Sequence, residues 1–300
     1  DHFANGVQIA VVGGVEARAH GVALKLQVRP DAPIQVAMTG HYDTVFPAAH
    51  PFQAPRRLDG DILNGPGVAD MKGGLCIMLA ALRRFEHHPH KHRVGYTVLI
   101  SPDEEIGSPA SAALLAELGA RADFGMTYEP ALPDGRLAGA RKGSGNFALI
   151  VKGRAAHVGR AFQDGRSAIL AAADFVRQLD LLNGQYEGVT VNVGAIDGGG
   201  PTNVVPDTAV VRFNIRIPDD DAQKWAQAGL DAAMAATAQR DGVSVRLDGS
   251  FARPPKPMTP GFARMLAWTH AAGQTIGLDL AWAPTGGVCE GNNLAAAGCP

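Results

Sequence analysis

Imidazole and carboxylate side chains stand at the ends of apolar, strand-like segments, or just before a helix, in the first 130 residues. They belong to His41, Asp70, Glu104, Glu105 and Glu129. In an α/β sheet, polar groups at the carboxyl ends of strands meet along one edge. Imidazole nitrogens and carboxylate oxygens are ligands that hard-to-borderline divalent metals prefer. The pattern therefore predicts an α/β sheet with a site for two divalent metal ions.

Length and composition restrict the class of protein further. Three hundred residues are enough for about two domains. The chain has 27 basic and 29 acidic residues, so no basic face for nucleic acid is implied. No apolar run approaches the roughly 20 residues that span a bilayer. Three widely spaced cysteines argue against a disulfide framework: Cys76, Cys289 and Cys299.

The two ends of the chain indicate a fragment. The chain begins with Asp1 without a signal-peptide pattern, and it stops in a turn signal at residues 297–300 without a closing element. We interpret it as trimmed at both ends. We expect a cytoplasmic protein, and a periplasmic location stays open if a leader was removed.

Hydrophobic periodicity predicts alternating strands and helices in the first part of the chain. The predicted strands are 7–12, 22–28, 34–38, 94–100 and 124–127, and the helices are 73–85 and 111–118. This order is typical of an α/β sheet.

From Leu137 the pattern changes to the order βαββαβ of a split βαβ, ferredoxin-like unit. Its elements are predicted at 146–151, 166–179, 189–196, 209–217, 222–238 and 243–247. A proline-rich connection at 251–260 is expected to return the chain to the first domain. There a helix (262–271), a strand (278–282) and a helix near 292–297 resume the α/β pattern. We expect a metal-binding domain of residues 1–137 and 252–300 and an inserted domain of residues 138–251.

Each candidate ligand also has a structural alternative. His41 could simply end a strand in a turn, and Asp70 could be the N-cap of the following helix. Glu104 and Glu105 could form a solvated acidic turn, and Glu129 could be a surface acid. Their combination favours the metal site, in which Asp70 reaches between two metals.

Two of the acidic residues have predicted roles beside the ligands. Asp43 is two residues from His41, so its carboxylate can support the second ring nitrogen, as carboxylates behind metal-binding histidines do. Adjacent residues after a strand point in different directions. Glu105 is therefore predicted to bind metal, and Glu104 to act as a general base toward the substrate.

Two further features are expected to be structural. The histidine-rich run at 87–92 lies between a helix and a strand, and we interpret it as a solvated connection rather than a second metal site. Cys76 follows Asp70 on the predicted helix, and we expect it in the core rather than as a nucleophile.

Taken together, the motifs resemble the di-zinc family of glutamate carboxypeptidases, acetylornithine deacetylases and succinyl-diaminopimelate desuccinylases, with glutamate carboxypeptidase closest. The resemblance runs over nearly all 300 residues. It is carried by G-H-Y-D-T-V (40–45), G-P-G-V-A-D-M-K-G-G (65–74), D-E-E-I-G-S (103–108), Y-E-P (128–130), G-R-A-A-H (153–157) and T-N-V-V-P (202–206).

The resemblance implies a zinc-exopeptidase-like catalytic domain with an inserted lid and dimerisation domain. It implies two Zn²⁺ ions per subunit, with Co²⁺ or Mn²⁺ as alternatives. His41, with Glu129 or Glu105, would supply terminal ligands, Asp70 would bridge, and Glu104 would activate the bridging water. A Glu at position 129 goes with deacylases and carboxypeptidases in this family. The implied reaction is cleavage of an N-acyl amino acid or a C-terminal residue, with glutamate favoured.

Other readings of the function stay open. Within the family, the chain could be a deacetylase of N-acetyl amino acids or a dipeptidase. In a different class, it could be an inactive, metal-binding homologue that works as a scaffold. No nucleic-acid or membrane partner is expected.

The resemblance also assigns residues of the inserted domain. The chain would form a homodimer, and His157 would reach the partner's active site to stabilise the oxyanion. Asn203 would hold that histidine or the substrate. The alternative for His157 is an ordinary loop histidine.

Two arginines are candidates for binding a substrate carboxylate. Arg216 lies on an apolar strand, where it must find an acid, so a bidentate clamp on substrate and a structural salt bridge are both open. Arg253 resembles the carboxylate-binding arginine of glutamate carboxypeptidases.

The last segment departs from the family pattern. Relatives carry one more metal-binding histidine downstream of the segment matched by 286–287, where Gly287 is predicted to contact substrate. No histidine follows His270, so that ligand is expected beyond Pro300. Cys289 and Glu290 stand where a Ser/Thr-Asp pair is commoner.

Overall fold

The computed structural model describes residues 7–12 and 20–300. The chain divides into two compact units, the first of Asp1–Ala140 with Met258–Pro300 and the second of Arg141–Pro257. Along the described residues, no helix combines the length and the apolar character needed to cross a bilayer.

The described chain contains fifteen strands and seven α-helices. The strands are β1 (Val7–Val12), β2 (Ala23–Val28), β3 (Ile34–His41), β4 (Arg56–Arg57), β5 (Leu63–Asn64), β6 (Val94–Ser101), β7 (Phe124–Thr127), β8 (Leu137–Arg141), β9 (Gly143–Lys152), β10 (Ala156–His157), β11 (Thr190–Gly198), β12 (Val204–Val205), β13 (Thr208–Ile217), β14 (Ser244–Arg253) and β15 (Trp282–Thr285). The helices are α1 (Gly73–Phe85), α2 (Ala112–Arg121), α3 (Val158–Ala161), α4 (Ala168–Asp180), α5 (Asp220–Ala238), α6 (Pro260–Thr275) and α7 (Glu290–Ala296). Short turns lie at Val68–Lys72, Lys91–Arg93, Glu104–Ile106 and Phe162–Asp164.

The first unit is built on a five-stranded sheet in the order β1-β2-β6-β3-β7. Strands β6, β3 and β7 are parallel, whereas β1 and β2 pair antiparallel at the other side. Helix α1 packs on one face through Met78 and Leu82. Helices α2 and α7 pack on the other through Leu115, Leu118 and Leu294. Because helices cover both faces of the sheet, the sequences of its parallel strands are nearly continuous apolar runs.

The second unit has a four-stranded antiparallel sheet in the order β11-β13-β9-β14. In chain order, its main elements are β9, α4, β11, β13, α5 and β14, which is the predicted βαββαβ sequence. Alternate residues of β13 are buried, as the period of a one-sided sheet requires. Helices α4 and α5 cover that face, and their N-caps, Ser167 and Asp219, accept hydrogen bonds from Leu170 N and Ala222 N.

Most predicted elements are confirmed, but the predicted strand at 278–282 is wrong. Helix α6 continues to Thr275, and Gly277 then takes a left-handed conformation with φ 77°. The amide of Leu278 donates to the carbonyl of Gly273, so this segment closes the helix and the strand begins only at Trp282.

Smaller differences have local causes. The pairs β4–β5 and β10–β12 have only two residues per strand, too short for a periodicity signal. The first residues of the proline-rich connection still belong to β14. Cys76 is exposed on α1, so its expected place in the core is wrong.

Candidate metal centre

His41 is the last residue of β3, and its side chain is only 1% exposed. Its Nδ1 lies 3.1 Å from Asp43 Oδ1. Its Nε2 lies 3.1 Å from Asp70 Oδ1 and 3.9 Å from Glu129 Oε1. The buried imidazole therefore has a carboxylate on each side.

Asp43 connects two parts of the centre. One of its oxygens contacts His41 Nδ1, and the other accepts a hydrogen bond from the Glu105 amide at 2.9 Å. This fixes the orientation of the imidazole and holds the turn that carries Glu104 and Glu105. The arrangement is the one expected of a carboxylate behind a metal-binding histidine.

The glycine-rich loop brings Asp70 to His41. Gly67 begins the turn with φ 67°, a conformation that glycine adopts without strain. At Gly74 a Cβ atom would lie 1.9 Å from the carbonyl oxygen of Tyr128, so only glycine lets α1 approach that backbone. Asp70 lies between these two glycines and is joined to Met71 by a cis peptide bond. The loop thus lies against the residue that precedes Glu129.

The turn after β6 is organised by Asp103, which is 1% exposed. Its carboxylate accepts hydrogen bonds from the amides of Ala110 and Ser111, at 2.6 and 3.1 Å. Glu104 and Glu105 lie in the short turn that follows, both half-buried. The turn is therefore anchored by an acid that is not itself a candidate ligand.

Three ligand atoms converge in this region. One atom each of His41, Asp70 and Glu105 lies within 4.8 Å of the other two. Glu129 Oε1 is 3.9 Å from the same imidazole. The four side chains predicted as metal ligands are brought together, and the donors are the nitrogen and carboxylate oxygens that suit Zn²⁺, Co²⁺ or Mn²⁺.

The electrostatics of the centre are strongly negative. Burial lowers the pKa of His41, but hydrogen bonds to Asp43 and Asp70 and the charges of Glu129 and Glu104 outweigh it and raise the pKa to about 11. Burial and the nearby charge of Asp70 raise the pKa of Glu105. Carboxylates that repel one another around a single imidazole are stabilised by a divalent cation, so the donor set fits a metal on charge as well as on ligand type.

Two predicted residues of the second unit are neighbours. His157 in β10 pairs with Val204 in β12, and the amide of Val158 donates to the carbonyl of Asn203 at 3.0 Å. Both His157 and Asn203 are exposed. His157 Nδ1 accepts the Gly159 amide at 3.2 Å, so its Nε2 is the nitrogen that carries the hydrogen in the neutral ring.

The two arginines lie on either side of one residue in the second sheet. Arg216 in β13 and Arg253 at the end of β14 are both in register with Ser144 of β9. Arg216 is half-buried and donates from Nε to Asn214 Oδ1 at 2.9 Å, whereas Arg253 is 2% exposed. Burial lowers the pKa of Arg216.

The remaining predicted residue belongs to the first unit. Gly287 is exposed in the loop before α7, and its amide donates to Thr285 Oγ1 at 3.2 Å.

Sequence reasoning left two buried acids of the first unit without a role. The sequence could have pointed to Asp103, because it is the first acid of the string that contains Glu104. Its capping hydrogen bonds could not be predicted, because they depend on the fold. Glu290 is 1% exposed and accepts a short hydrogen bond from Ser101 Oγ. Its only signal was that Cys289 and Glu290 stand where a Ser/Thr-Asp pair is commoner in the family.

Comparison with known proteins agrees with this architecture. A family model described as the peptidase dimerisation domain matches residues 139–242. Succinyl-diaminopimelate desuccinylase of Acinetobacter baylyi is 32% identical over 279 residues, which are 88% of this chain and 71% of that protein. Carboxypeptidase G2 of Pseudomonas sp. (strain RS-16) is 28% identical over 204 residues, which cover 68% of this chain and 48% of that protein.

The fold is also that of a solved metallopeptidase. The M20 family metallo-carboxypeptidase Sso-CP2 of Sulfolobus solfataricus superimposes with a TM-score of 0.72 at 16% identity, covering 97% of this chain and 80% of that one. A mixed α/β unit with candidate ligands at its strand ends and an inserted dimerisation-type unit are the architecture of a peptidase-type hydrolase. The chain belongs to the M20 peptidase family. It spans about half the length of two of the curated relatives that it matches.

Proposed function

We propose that the protein is a zinc-dependent hydrolase that cleaves the amide bond of an N-acyl amino acid or of a C-terminal residue. The observation that carries the proposal is the convergence of His41, Asp70 and Glu105, whose ligand atoms lie within 4.8 Å of one another. In the proposed centre His41, Asp70, Glu105 and Glu129 hold two metal ions. Residues 1–137 and 252–300 would form the catalytic domain.

The chemistry divides between the metals and Glu104. When bound, a divalent pair polarises the scissile carbonyl and lowers the pKa of a water toward neutrality. Glu104 accepts the proton of the attacking water and returns it to the leaving amine nitrogen. Asp43 keeps the His41 ring in its orientation through Nδ1. The backbone amide of Glu105 is held by Asp43, and the Glu105 side chain would serve as a metal ligand rather than as the base.

The favoured substrate carries a free carboxylate, with glutamate as the leading residue. Arg216 and Arg253 are in register with the same residue of the sheet and would bind that carboxylate. Gly287 would contact the substrate from the loop before α7. The names of carboxypeptidase G2 and of the desuccinylases indicate that those proteins act on related amide bonds. Within the family, a deacetylase or a dipeptidase is the alternative.

The second unit would serve as lid and dimerisation domain, with a homodimer as the working form. Its match to a peptidase dimerisation domain supports this role. His157 would stabilise the oxyanion in the active site of the partner subunit, and Asn203 would hold it in place. The exposed position of His157 at the end of β10 is compatible with reaching another subunit.

The decisive test of the mechanism is Glu104→Gln in the chain expressed with any sequence that follows it in its reading frame. We expect turnover to fall by about 10²- to 10⁴-fold, because the general base is lost, with the metal content unchanged. Glu117→Gln removes a carboxylate from the surface of the same unit and should leave turnover as it was. Full turnover by metal-loaded Glu104→Gln would refute the assignment.

A substrate panel separates the alternatives. Release of amino acid from N-acyl-glutamate, N-acetyl-ornithine and a neutral dipeptide is measured side by side. Preferential glutamate release supports the carboxypeptidase and makes Arg216→Ala and Arg253→Ala the next variants. Turnover of another member selects a deacetylase or a dipeptidase, and no turnover with two metals bound favours the inactive homologue.

The trans role of His157 can be tested by mixing two variants. His157→Ala and Glu104→Gln chains should each be weakly active alone. After random exchange of subunits, half of the dimers contain one chain of each variant. If His157 acts across the dimer, each of these mixed dimers has one complete site and one inactive site. About a quarter of wild-type activity should therefore return. A mixture no more active than its components would show that His157 acts within its own subunit or not at all.

A further inference from the structure

The glycine-rich loop contacts the end of β3 through three successive side chains. Asp70 Oδ1 lies 3.1 Å from His41 Nε2. The side chains of the next two residues, Met71 and Lys72, reach the backbone of the same strand end. One candidate metal ligand is thus followed directly by two residues that hold the strand of another.

Met71 contacts the backbone amide of His41. The Met71 side chain is fully buried, and its Sδ accepts the hydrogen bond of that amide at 3.2 Å. Successive amides of a strand point to opposite sides, and the amide of Tyr42 donates to Ser101 of β6, so the amide of His41 points toward β7. In the described ladder, β7 pairs with β3 only as far as Thr39. The thioether therefore reaches the amide of a metal ligand just beyond the end of that pairing.

The close approach of Met71 depends on the residue before His41. A Cβ atom on Gly40 would lie 2.6 Å from Met71 Cε and 3.2 Å from its Sδ, and the first of these distances is too short for any side chain. Glycine leaves the space that the thioether occupies. Because sulfur is a weak acceptor, the contact holds the end of β3 through fit as well as through the hydrogen bond.

Lys72 holds the same strand end from the surface. Its Nζ donates to the carbonyl of Tyr42 at 3.2 Å, and its amide donates to the carbonyl of Gly67 at 2.8 Å. A Cβ atom on Gly67 would overlap Lys72 Nζ and would lie 2.7 Å from Thr44 Cγ2. The lysine side chain thus passes over the glycine that begins the turn and joins the loop to the chain directly after β3.

We propose that Met71 and Lys72 are positioning residues of the metal centre: they fix the end of β3 and thereby hold its imidazole at the distance from Asp70 at which both bind metal. The inference rests on the proposed function, because it presupposes that His41 and Asp70 are metal ligands. Neither positioning residue contacts the metals in this account. Ligands that are held in place before the metal arrives lose less freedom on binding, so metal affinity should depend on both contacts.

Co²⁺ binding to the full chain tests this separately from activity. Met71→Leu keeps the size of the side chain and removes the sulfur acceptor, and Lys72→Met keeps an unbranched stem and removes the ammonium group. The Co²⁺ dissociation constant is measured by competition with a chelator, and the visible spectrum of bound Co²⁺ reports ligand geometry. Thermal unfolding of the metal-free forms reports the fold.

Each variant has a matched control in the first unit. Met78→Leu makes the same change at a methionine that is 3% exposed on α1 and packs in an apolar cluster. Lys91→Met removes an ammonium group that also donates to a backbone carbonyl, that of Glu86, at 2.7 Å. Both control residues belong to segments that carry no candidate ligand, namely α1 and the turn before β6.

We expect Met71→Leu and Lys72→Met each to bind Co²⁺ about tenfold more weakly and with an altered spectrum, and their controls to do neither. For Lys72 the direction of the change separates two effects. Its ammonium group repels a nearby cation, so removal of that charge alone would strengthen Co²⁺ binding. Weaker binding would therefore be due to the lost contact with Tyr42. The metal-free variants should unfold near the temperatures of their controls.

The outcomes that overturn the inference are distinct from failure of the proposed function. A variant that binds Co²⁺ within twofold of its control and with the same spectrum overturns the role of that residue, although the metal centre stands. Tighter binding by Lys72→Met also overturns its role, since only the charge would then act. If Met71→Leu does not fold, Lys72→Met decides: weaker binding supports the inference and unchanged binding overturns it. A wild-type chain that binds no Co²⁺ would overturn the proposed function and this inference together.

Discussion

The two units of the chain differ in what they bury. The second has one apolar cluster of nineteen buried residues, in which the rings of Phe147 and Phe213 stack at 5.3 Å. The described part of the first has two smaller clusters, of seven and six residues, on opposite faces of its sheet. Among the described residues, every buried polar or charged side chain except Ser144, Thr237 and Arg253 lies in the first unit.

This difference is the one expected between a unit held together by apolar packing and a unit that carries the proposed metal centre. Burying polar groups costs free energy that apolar packing does not, so they persist where contacts or a ligand compensate them. In the first unit several of them lie at or just after the ends of the parallel strands, as His41, Ser101 and Asp103 do. Substitutions in the two units should therefore have different signatures: lost binding in the first and lost stability in the second.

The largest effect is expected for Asp70→Asn in the first unit. The change removes a charge that contacts His41 Nε2 at 3.1 Å while preserving size. We expect metal affinity to fall about 100-fold or more and activity to be lost with it. Replacing a residue that only supports a metal ligand already lowers metal affinity by about 10- to 100-fold. In the metal-free protein the relief of repulsion with Glu105 opposes the loss of the contact with His41, which lowers the pKa of Asp70, so stability should change less than metal affinity. Metal per chain after dialysis and thermal unfolding measure both.

The control for this substitution is Asp61→Asn, at a fully exposed acid of the same unit. It should change neither metal content nor unfolding. If Asp70→Asn retained wild-type metal content, Asp70 would not be a metal ligand; it is not the N-cap of α1 either, since that position is Lys72.

The opposite signature is expected for Phe175→Ala in the second unit. Phe175 is fully buried on α4, with its ring 5.6 Å from that of Phe213. Its truncation should lower the free energy of unfolding by about 3–5 kcal/mol. Metal content below the unfolding transition should stay at the wild-type level, because the candidate ligands belong to the other unit. Denaturant unfolding and metal analysis of the same sample measure the two effects.

Phe162→Ala is the matched control, since Phe162 is 57% exposed in the same unit. Its effect should be within about 0.5 kcal/mol, as for other surface substitutions. Equal destabilisation by the two variants would mean that the apolar cluster does not define the stability of this unit.

The same contrast explains what could be predicted from the sequence. Strands β9 and β13 and helix α5 have clear periodicities, and they were predicted to within a few residues because packing alone specifies them. The strand at 278–282 was wrong, because the left-handed turn at Gly277 leaves no trace in hydrophobicity. In the candidate centre, residue types identified the ligands, whereas the contact between Glu290 and Ser101 joins residues 189 positions apart and depends on the fold.

Glu86 provides a comparison within the first unit, because its charge is already satisfied. Arg29 Nη1 and Nη2 donate to the two oxygens of Glu86 at 3.0 and 2.5 Å, and Tyr96 Oη donates at 3.1 Å. The hydrogen bond from Arg29 outweighs burial and lowers the pKa of Glu86 below its usual 4.5. A lowered folded-state pKa adds stability that is present above about pH 4.5 and is lost as the pH falls through the folded-state value.

We therefore expect the free energy of unfolding to fall below about pH 4.5, and Glu86→Gln to flatten that part of the profile. Urea unfolding between pH 3 and 7 measures the slope. Glu117→Gln should keep the wild-type slope, since Glu117 is half exposed and its ion pairs are long, at 3.5 and 3.8 Å. A Glu86→Gln profile parallel to wild type would assign the acid sensitivity to other carboxylates.

The smallest effect is expected at a charged residue of the second unit that acts only locally. Asp219 Oδ1 accepts the amide of Ala222 at 2.8 Å and caps α5. Asp219→Ala should cost about 1 kcal/mol of unfolding free energy, the usual worth of an N-cap. Asp221→Ala removes a neighbouring charge that pairs with Lys224 at the surface, and it should cost less than about 0.5 kcal/mol. If the two variants lost equal stability, the acids would act on α5 through charge and the helix dipole rather than through the capping hydrogen bond. A larger loss for Asp219→Ala than for Asp221→Ala would mean that Asp219 stabilises the second unit through its single capping hydrogen bond. The acids around His41 act instead as a group, since they raise the pKa of one imidazole together.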